Sequence, residues 1–598
     1  MANVPTFAGV FTLLVVLLSA VCIVSSCPTG CSCSEFRNSI YCSSSTLPGW
    51  PADSGVTWSV DRLQIICRKD VQIKHLKKDD FAHYANITRL DIIQCGLEDI
   101  TDDTFEFLTR LTTFSLLGNN LKSIHQNTFT LIVNLEDLNL AHNAIETVPD
   151  NAFIHLKKLK SLRLSFNKIR SVGKHAFEDL PELGDLYIEH NENLSFVDEE
   201  AFLNSHIDYL RIGHSNLDSG FVKALKPLQD GLIRLDWTDN GKALNLPADS
   251  FEGFNLASLD LSRNQITNID FLQKTVSGLI KLDYNNITDI DLSNCPLPTL
   301  VTLYLNSNQI KRLDLTTFKH ITTLRYLTLG KNKIEELIGT LAPFQHMLHF
   351  GAPGNKIRQI PNGMFKENKF LTRVELYDND IATIDGSMFP RDGVLTYLEL
   401  NGNNIETIPV SMEAVIKSTM LEDNRGYMLI YDNPIHCNCE LKWLRKLLTK
   451  RDDLLSIKSL AKVQTNCTTP NNINFQLVSL ADMACDVPVL APVLMPINDD
   501  PLWCNASGDP TPKVEWRSTS GTILASKLPI RTTQKFISLP LPQSDLPEGG
   551  DILCVASSTQ GNATAHLYTF GASSARAHFT NVGRLIAAAA IALLICII

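Results

Sequence analysis

One residue, usually asparagine, returns along most of this chain at a near-constant interval, and that period constrains the fold more than any other feature. Aligned on the motif LxxLxLxxNxL/I, the position is held by Cys95, Asn119, Asn143, Asn167, Asn191, Ser215, Asn240, Asn264, Asn285, Asn308, Asn332, Asn355, Asn379 and Asn403, mostly 24 residues apart. A period of this kind means one supersecondary unit stacked on copies of itself, each giving a short strand to a parallel sheet and a looser returning segment to the opposite side. Leu138 with Leu140, and Leu303 with Leu305, alternate as strand residues facing one core must. The ladder asparagine is expected to turn inward, because its amide can pair backbone groups that adjoining coils would otherwise bury unsatisfied. Phe105, Phe129, Phe153, Phe177, Phe202, Phe251, Phe318, Phe365 and Phe389 recur on the returning segments and predict a packed phenylalanine spine. The spacing shortens after Asn264, which fits either a kink or a deletion that the array tolerates.

At 598 residues the chain is too long for one core. A formal charge of -11 offers no concentrated basic surface, so nucleic acid is not an expected partner. Phe7 to Val24 is an apolar run followed by Ser25 and Ser26, the layout of a secretory signal peptide cleaved before Cys27; an N-terminal membrane anchor is the other reading. Leu585 to Ile598 is a second apolar run, shorter than the ~20 residues a helical span needs. Small residues from Gly571 to Ala575 and a polar spacer to Arg584 precede it, the pattern of a glycosylphosphatidylinositol signal with attachment at Ser573 or Ser574. A short C-terminal transmembrane helix is the alternative.

Cysteines cluster at both ends of the array. Cys27, Cys31, Cys33 and Cys42 precede it, and Cys437, Cys439, Cys467 and Cys485 follow it, in the context NPIHCNCELKWL. These clusters resemble the cysteine-rich caps of extracellular leucine-rich-repeat proteins. That resemblance implies disulfides Cys27–Cys33, Cys31–Cys42, Cys437–Cys467 and Cys439–Cys485, and export to an oxidising compartment disfavours zinc. Beyond them stand Cys504, Trp516 and Cys554, the Cys…Trp…Cys set of an immunoglobulin-like sandwich whose indole packs on an inter-sheet disulfide. Ile552 occupies the place of a tyrosine corner, so that hydrogen bond is not expected. Cys67 and Cys95 fall on adjacent coils and could bridge, which would leave Cys295 as a buried free thiol or an intermolecular partner.

Side chains two, four and six positions before each ladder residue are expected to point away from the core, onto the concave face. They include Tyr187, Tyr209, Tyr304, Tyr326, Tyr377 and Tyr397, interleaved with Arg163, Arg211, Arg234, Arg373 and Asp137, Asp185, Glu189, Asp236, Glu375, Glu399; Tyr427 and Tyr431 are candidates for a last strand. Tyrosine and arginine dominate protein-protein hot spots, although tyrosine also suits exposed strands without any ligand. The patch singled out for partner binding is Tyr304, Tyr326, Arg373, Tyr377, Tyr397 and Glu399. Glycosylation sequons occur at Asn86, Asn193, Asn286, Asn466, Asn505 and Asn562, and Asn286, directly after a ladder asparagine, should face outward.

No metalloprotease, nucleophile-elbow, phosphate-loop or kinase motif is present, so no enzyme, metal or cofactor is expected. Caps, repeats and the Cys504, Trp516, Cys554 set together resemble the leucine-rich repeat plus immunoglobulin superfamily of cell-surface proteins. The expected fold is an α/β-type leucine-rich-repeat solenoid, a parallel β-sheet horseshoe, followed by an all-β immunoglobulin-like sandwich. The expected order is a signal peptide over 1–26, an N-terminal cap over 27–66, about 14 repeats over 67–426, a C-terminal cap over 427–486, the sandwich over 487–570, an attachment region and spacer over 571–584 and a hydrophobic tail over 585–598. What the resemblance implies is a receptor or adhesion molecule on the outer face of the plasma membrane, binding extracellular or cell-surface proteins with a transmembrane co-receptor, as in neural or developmental recognition. An innate-immune receptor and a matrix protein are the alternatives.

Overall fold

A computed structural model gives the architecture. It describes residues 31–42, 60–67, 72–82, 84–390, 394–417 and 426–449 and, between 463 and 569, mainly strand segments. The chain divides into two compact units, residues 1–380 with 388–399, and residues 381–387 with 400–598.

The first unit opens with the antiparallel strands Cys31–Ser34 and Ser39–Cys42, joined by the Cys31–Cys42 disulfide. Ser39–Cys42 pairs in parallel with Arg62–Ile66, and every later neighbour is parallel too, through Arg89–Ile93, Thr113–Ser115, Asp137–Asn139, Ser161–Arg163, Asp185–Tyr187, Tyr209–Arg211 and Arg234–Asp236. The sheet continues through Asn255–Asp260, Val276–Lys281, Thr302–Tyr304, Tyr326–Thr328, His349–Gly351 and Arg373–Glu375 to Tyr397–Glu399. Each strand repeats its predecessor's register, so Leu162 faces Leu186, which faces Leu210, all wholly buried. This is a leucine-rich-repeat solenoid of parallel strands.

Asn167 shows why the period is held so closely. Its Oδ1 accepts the Ile145 N–H of the preceding coil at 3.0 Å, while Nδ2 donates to the carbonyls of Leu140 at 3.0 Å and Leu164 at 2.9 Å. Asn143, Asn308, Asn332, Asn355 and Asn379 repeat the arrangement. Ser215 cannot, and its hydroxyl instead donates to Asn240 Oδ1. The shortened stretch after Asn264 loses no strand, because the returning segment there contracts to the 3-10 turn Asp270–Lys274 while Leu259 still faces Ile280.

The phenylalanine spine is continuous only in part. Phe129, Phe153, Phe177 and Phe202 stack at 5.8, 5.9 and 5.5 Å, and Phe365 stacks on Phe389 at 5.5 Å. Phe251 and Phe318 instead meet their neighbours edge-on. A second column of rings was not foreseen. The residue just before the ladder position is left-handed at His142, Phe166, His190 and His214, with φ of 55°, 58°, 57° and 51°. The N–H groups of the first three donate to the next coil, to Ser165, Glu189 and Gly213 carbonyls, which offsets the cost of that backbone. Held alike, the four rings stack at 4.2, 4.1 and 3.9 Å along one rim.

Cys67 and Cys95 are disulfide-bonded. Cys295 is free and buried, and burial pushes its thiol up to about 11, away from the reactive thiolate.

In the second unit one more ladder residue appears, inside the span assigned to the C-terminal cap. Asn433 Oδ1 accepts the Ile405 N–H, and its Nδ2 donates to Leu400 and Ile430. The strand Tyr427–Leu429 belongs to this rung. Helix Lys442–Thr449 follows, with Trp443 Nε1 donating to the Ile408 carbonyl at 3.3 Å, and Cys437 is bonded to Cys467. Cys439 is also disulfide-bonded, whereas Cys27 and Cys485 lie outside the described residues. Two four-stranded antiparallel sheets come next, one containing Leu502–Ser507 and Phe536–Leu541, the other Lys513–Ser518, Gly550–Ser558 and Gly561–Thr569. The Cys504–Cys554 disulfide joins them over buried Trp516, whose Nε1 donates to the Leu539 carbonyl at 3.0 Å, with Ile552 in the same core.

Candidate functional site

The strand register sorts the concave face of the first unit into columns. One runs Tyr326, His349, Arg373, Tyr397, and the next runs Tyr304, Thr328, Gly351, Glu375, Glu399. In the earlier repeats a matching pair of columns carries Asp185, Tyr209, Arg234 and Tyr187, Arg211, Asp236. Tyr304, Tyr326, Arg373, Tyr397 and Glu399 therefore share these two columns, with the His349–Gly351 coil between Tyr326 and Arg373; Tyr377 follows Glu375 by two residues, beyond the end of its strand.

The two halves of that face differ in how far their side chains are already engaged. In the earlier half Arg163 stands over Tyr187 at 5.5 Å, Tyr187 meets Tyr209 edge-on at 5.7 Å, and the Tyr209 hydroxyl donates to Asp236. Burial first, then that hydrogen bond, raises the Tyr209 phenol above its ordinary value. Arg211 Nε reaches Glu189 at 2.7 Å, and Lys281 Nζ reaches Asp260 at 3.1 Å. The network is internally paired.

In the later half Arg373 contacts both Glu375 and Glu399, the latter at 3.0 Å, and its guanidinium lies 5.4 Å from the Tyr397 ring centre. His349, absent from the sequence-based set, sits between Tyr326 and Arg373 with Nε2 3.5 Å from Glu375 Oε1. His349 and then Arg373 hold the Glu375 carboxyl below the usual carboxylate range, so it is ionised at neutral pH. Glu399, expected on the exposed face, is buried at 8% exposure and contacts Arg373 at 3.0 Å. Tyr304, Tyr326 and Tyr377 are half-buried and, among the described residues, make no ring-stacking, cation–ring or side-chain hydrogen-bond contact within the chain.

Asn86, Asn193, Asn286, Asn466 and Asn562 are exposed, and Asn505 is half-buried. Asn286 is exposed beside buried Asn285, as the ladder alignment requires. No sequon falls between Asn286 and Asn466, so the repeats bearing the patch offer no glycan attachment point. Among the described residues no group of acidic, histidine or cysteine side chains could hold a metal, and no helix is long and apolar enough to cross a membrane. The two apolar terminal segments, Ser573 and Ser574 lie outside them.

A leucine-rich-repeat family model matches residues 85–145, 133–192 and 279–334. A Danio rerio leucine-rich repeat and fibronectin type III domain-containing protein 1-like protein is 34% identical over 142 residues, 22% of this chain and 19% of that protein. The Homo sapiens leucine-rich repeat and fibronectin type-III domain-containing protein 3 is 33% identical over 141 residues, 22% of this chain and 20% of that protein. The chain thus spans about a fifth of the length of these curated relatives. Among solved structures, a chain of the Toll–Spatzle complex, described as a hub in Drosophila development and innate immunity, superposes with a TM-score of 0.54 at 15% identity, covering 78% of this chain and 66% of that one. Its glycosylated form gives 0.53 at 16% identity, covering 78% and 73%. At such identity the likeness shows the repeat fold alone.

Proposed function

We propose that this chain is a protein-binding receptor or adhesion molecule of the cell surface that recognises protein ligands through the later half of its concave face, from Tyr304 to Glu399. The observation that carries the reading is a contrast among the tyrosines of that face. Tyr187 and Tyr209 in the earlier half, and Tyr397 in the later, are held by internal contacts, whereas Tyr304, Tyr326 and Tyr377 stand half-exposed with no ring-stacking or side-chain hydrogen-bond contact among the described residues. Large rings with a polar tip, already held by a rigid sheet, lose little entropy on binding and suit a hot spot. The absence of sequons over these repeats supports the same face.

The two β-sheets pinned by Cys504–Cys554 and Trp516 form an immunoglobulin-like domain in this reading and give a second contact surface. The tail from Leu585, with Ser573 or Ser574 as attachment point, is read as the signal for a glycosylphosphatidylinositol anchor, which makes a transmembrane co-receptor necessary for any signal.

The test is a soluble form ending before Ser573, screened against cell-surface and secreted proteins and, in separate arms, microbial glycans and lipids. Wild type is expected to bind proteins, and Tyr326→Ser/Tyr377→Ser/Tyr397→Ser to lose that binding while still folding. Unchanged binding by the folded triple variant overturns the assignment of the face. Release of the full chain from cells by a phosphatidylinositol-specific phospholipase checks the anchor.

A further inference from the structure

The string Tyr-x-Asn-Ile-Thr occurs twice in this chain, as Tyr84 to Thr88 and as Tyr284 to Thr288, each a glycosylation sequon with a tyrosine two residues before its asparagine. Folding makes the two unlike. Tyr84 is a core residue, 4% exposed, so it presents no ring face beside Asn86, whose side chain accepts from Arg110 instead. Tyr284 is 51% exposed at the rim position that precedes the ladder asparagine, and exposed Asn286 follows on the other side of buried Asn285.

The Tyr284 ring stands on a fixed base. Its backbone is left-handed, with φ of 56°, and its N–H donates to the Asn306 carbonyl at 2.8 Å. Arg263, at the same position one coil earlier and also left-handed, lies over one face of the ring at 4.1 Å. One coil later the position is held by Ser307, too small to cover the opposite face. Asn286 is fixed too, since its N–H donates to the Ile266 carbonyl at 2.9 Å and the following Ile287 N–H donates to Asn308 Oδ1 at 3.1 Å. Asn193 offers a contrast. The rim ring three residues before it, His190, is sandwiched between Phe166 and His214 at 4.1 and 3.9 Å, which leaves only its edge.

We infer that the open face of Tyr284 is the seat of this chain's own glycan, with the innermost N-acetylglucosamine on Asn286 lying on the ring. The hydroxyls of a pyranose stand around its edge and leave an apolar C–H face, and laying that face on an aromatic ring takes apolar area of both out of water. Little freedom is lost in doing so, because the sugar is tethered two residues from the ring. Arg263 behind the ring fixes its plane. The contact is separate from the partner-binding face and stands or falls without it.

The full chain, secreted from cells that build uniform short glycans, is compared with Thr288→Ala, which removes the sequon, with Tyr284→Asn, which removes the ring and suits a left-handed backbone, and with the double variant. Amide exchange over residues 282–290 should be about fivefold slower in glycosylated wild type than in Thr288→Ala, the size of a ring contact of ~1 kcal/mol. In the Tyr284→Asn background, presence or absence of the sequon should make no such difference. The ring current should also shift the acetyl methyl resonance of the Asn286 sugar upfield of the one on Asn193. That shift should vanish in Tyr284→Asn and persist in Tyr284→Phe, and it carries the test if the double variant does not fold. An equal effect of the sequon in both backgrounds, an Asn286 sugar resonance unmoved by loss of the ring, or an unmodified Asn286 in the secreted chain overturns the seat.

Discussion

Removing a single ladder amide should cost far more than removing its degenerate counterpart, and the hydrogen bonds say by how much. In Asn167→Ala the Leu140 carbonyl keeps Asn143 Nδ2 at 3.0 Å and the Leu164 carbonyl keeps Asn191 Nδ2 at 3.2 Å, so neither is stranded. The Ile145 N–H loses its side-chain acceptor, Asn167 Oδ1, in a wholly buried setting. An orphaned buried donor costs ~1–3 kcal/mol and two lost bonds to carbonyls that retain a partner add ~1 kcal/mol, giving ~3 kcal/mol before any cavity term. Ser215→Ala removes only the hydroxyl bond to Asn240, worth about 1 kcal/mol. In a solenoid the damage stays near the altered coil, so the sharpest assay is amide hydrogen exchange at Ile145 and its neighbours, with urea unfolding as the global check. The opening constant there should rise about a hundredfold in Asn167→Ala, at ~1.4 kcal/mol per decade. Exchange at Ile145 no faster than in wild type, or a cost no greater than that of Ser215→Ala, would refute the ladder account.

Burial, then the neighbouring His214, lowers the His190 pKa, so this group favours the folded state above its unfolded value of ~6.5, and that contribution is lost as pH falls. Thermal unfolding at pH 7.5 and 5.5 should therefore show a smaller acid loss for His190→Phe than for wild type, and equal losses would remove His190 from the pH response. Breaking the Cys67–Cys95 disulfide by paired alanines, across a sequence separation of 28, should destabilise the chain by ~3–4 kcal/mol in urea if loop entropy dominates. Truncating the stacked spine with Phe153→Ala should cost ~3–5 kcal/mol by the same measurement. Peptide mapping of the secreted chain should find glycan on exposed Asn286, directly after buried Asn285; an unmodified Asn286 in a chain glycosylated at its other exposed sequons would count against its outward placement.

The linear pattern alone specified the repeat fold, because each rung is made by hydrogen bonds at a constant offset and a side-chain period locked to it. It placed Tyr326, Arg373 and Tyr397 in one column and Asn286 on the surface. His349 and the ring column from His142 to His214 occupy positions the same alignment marks, and were readable there as column members though not as contacts. Asn433 was hidden because the interval from Asn403 breaks the period, while the rung's bonds survive the longer excursion.

Tertiary structure decided what the columns do. A register fixes which residues are neighbours, but rotamers and competing charges choose among them: Lys281 turns to Asp260 and leaves Tyr304 without a cation, and Arg373 spans two carboxylates and stacks on Tyr397. Burial of Glu399 and the bridging of Cys67 to Cys95 are likewise matters of three-dimensional packing, since an alternating pattern gives the direction of a side chain and not how deeply its neighbours cover it.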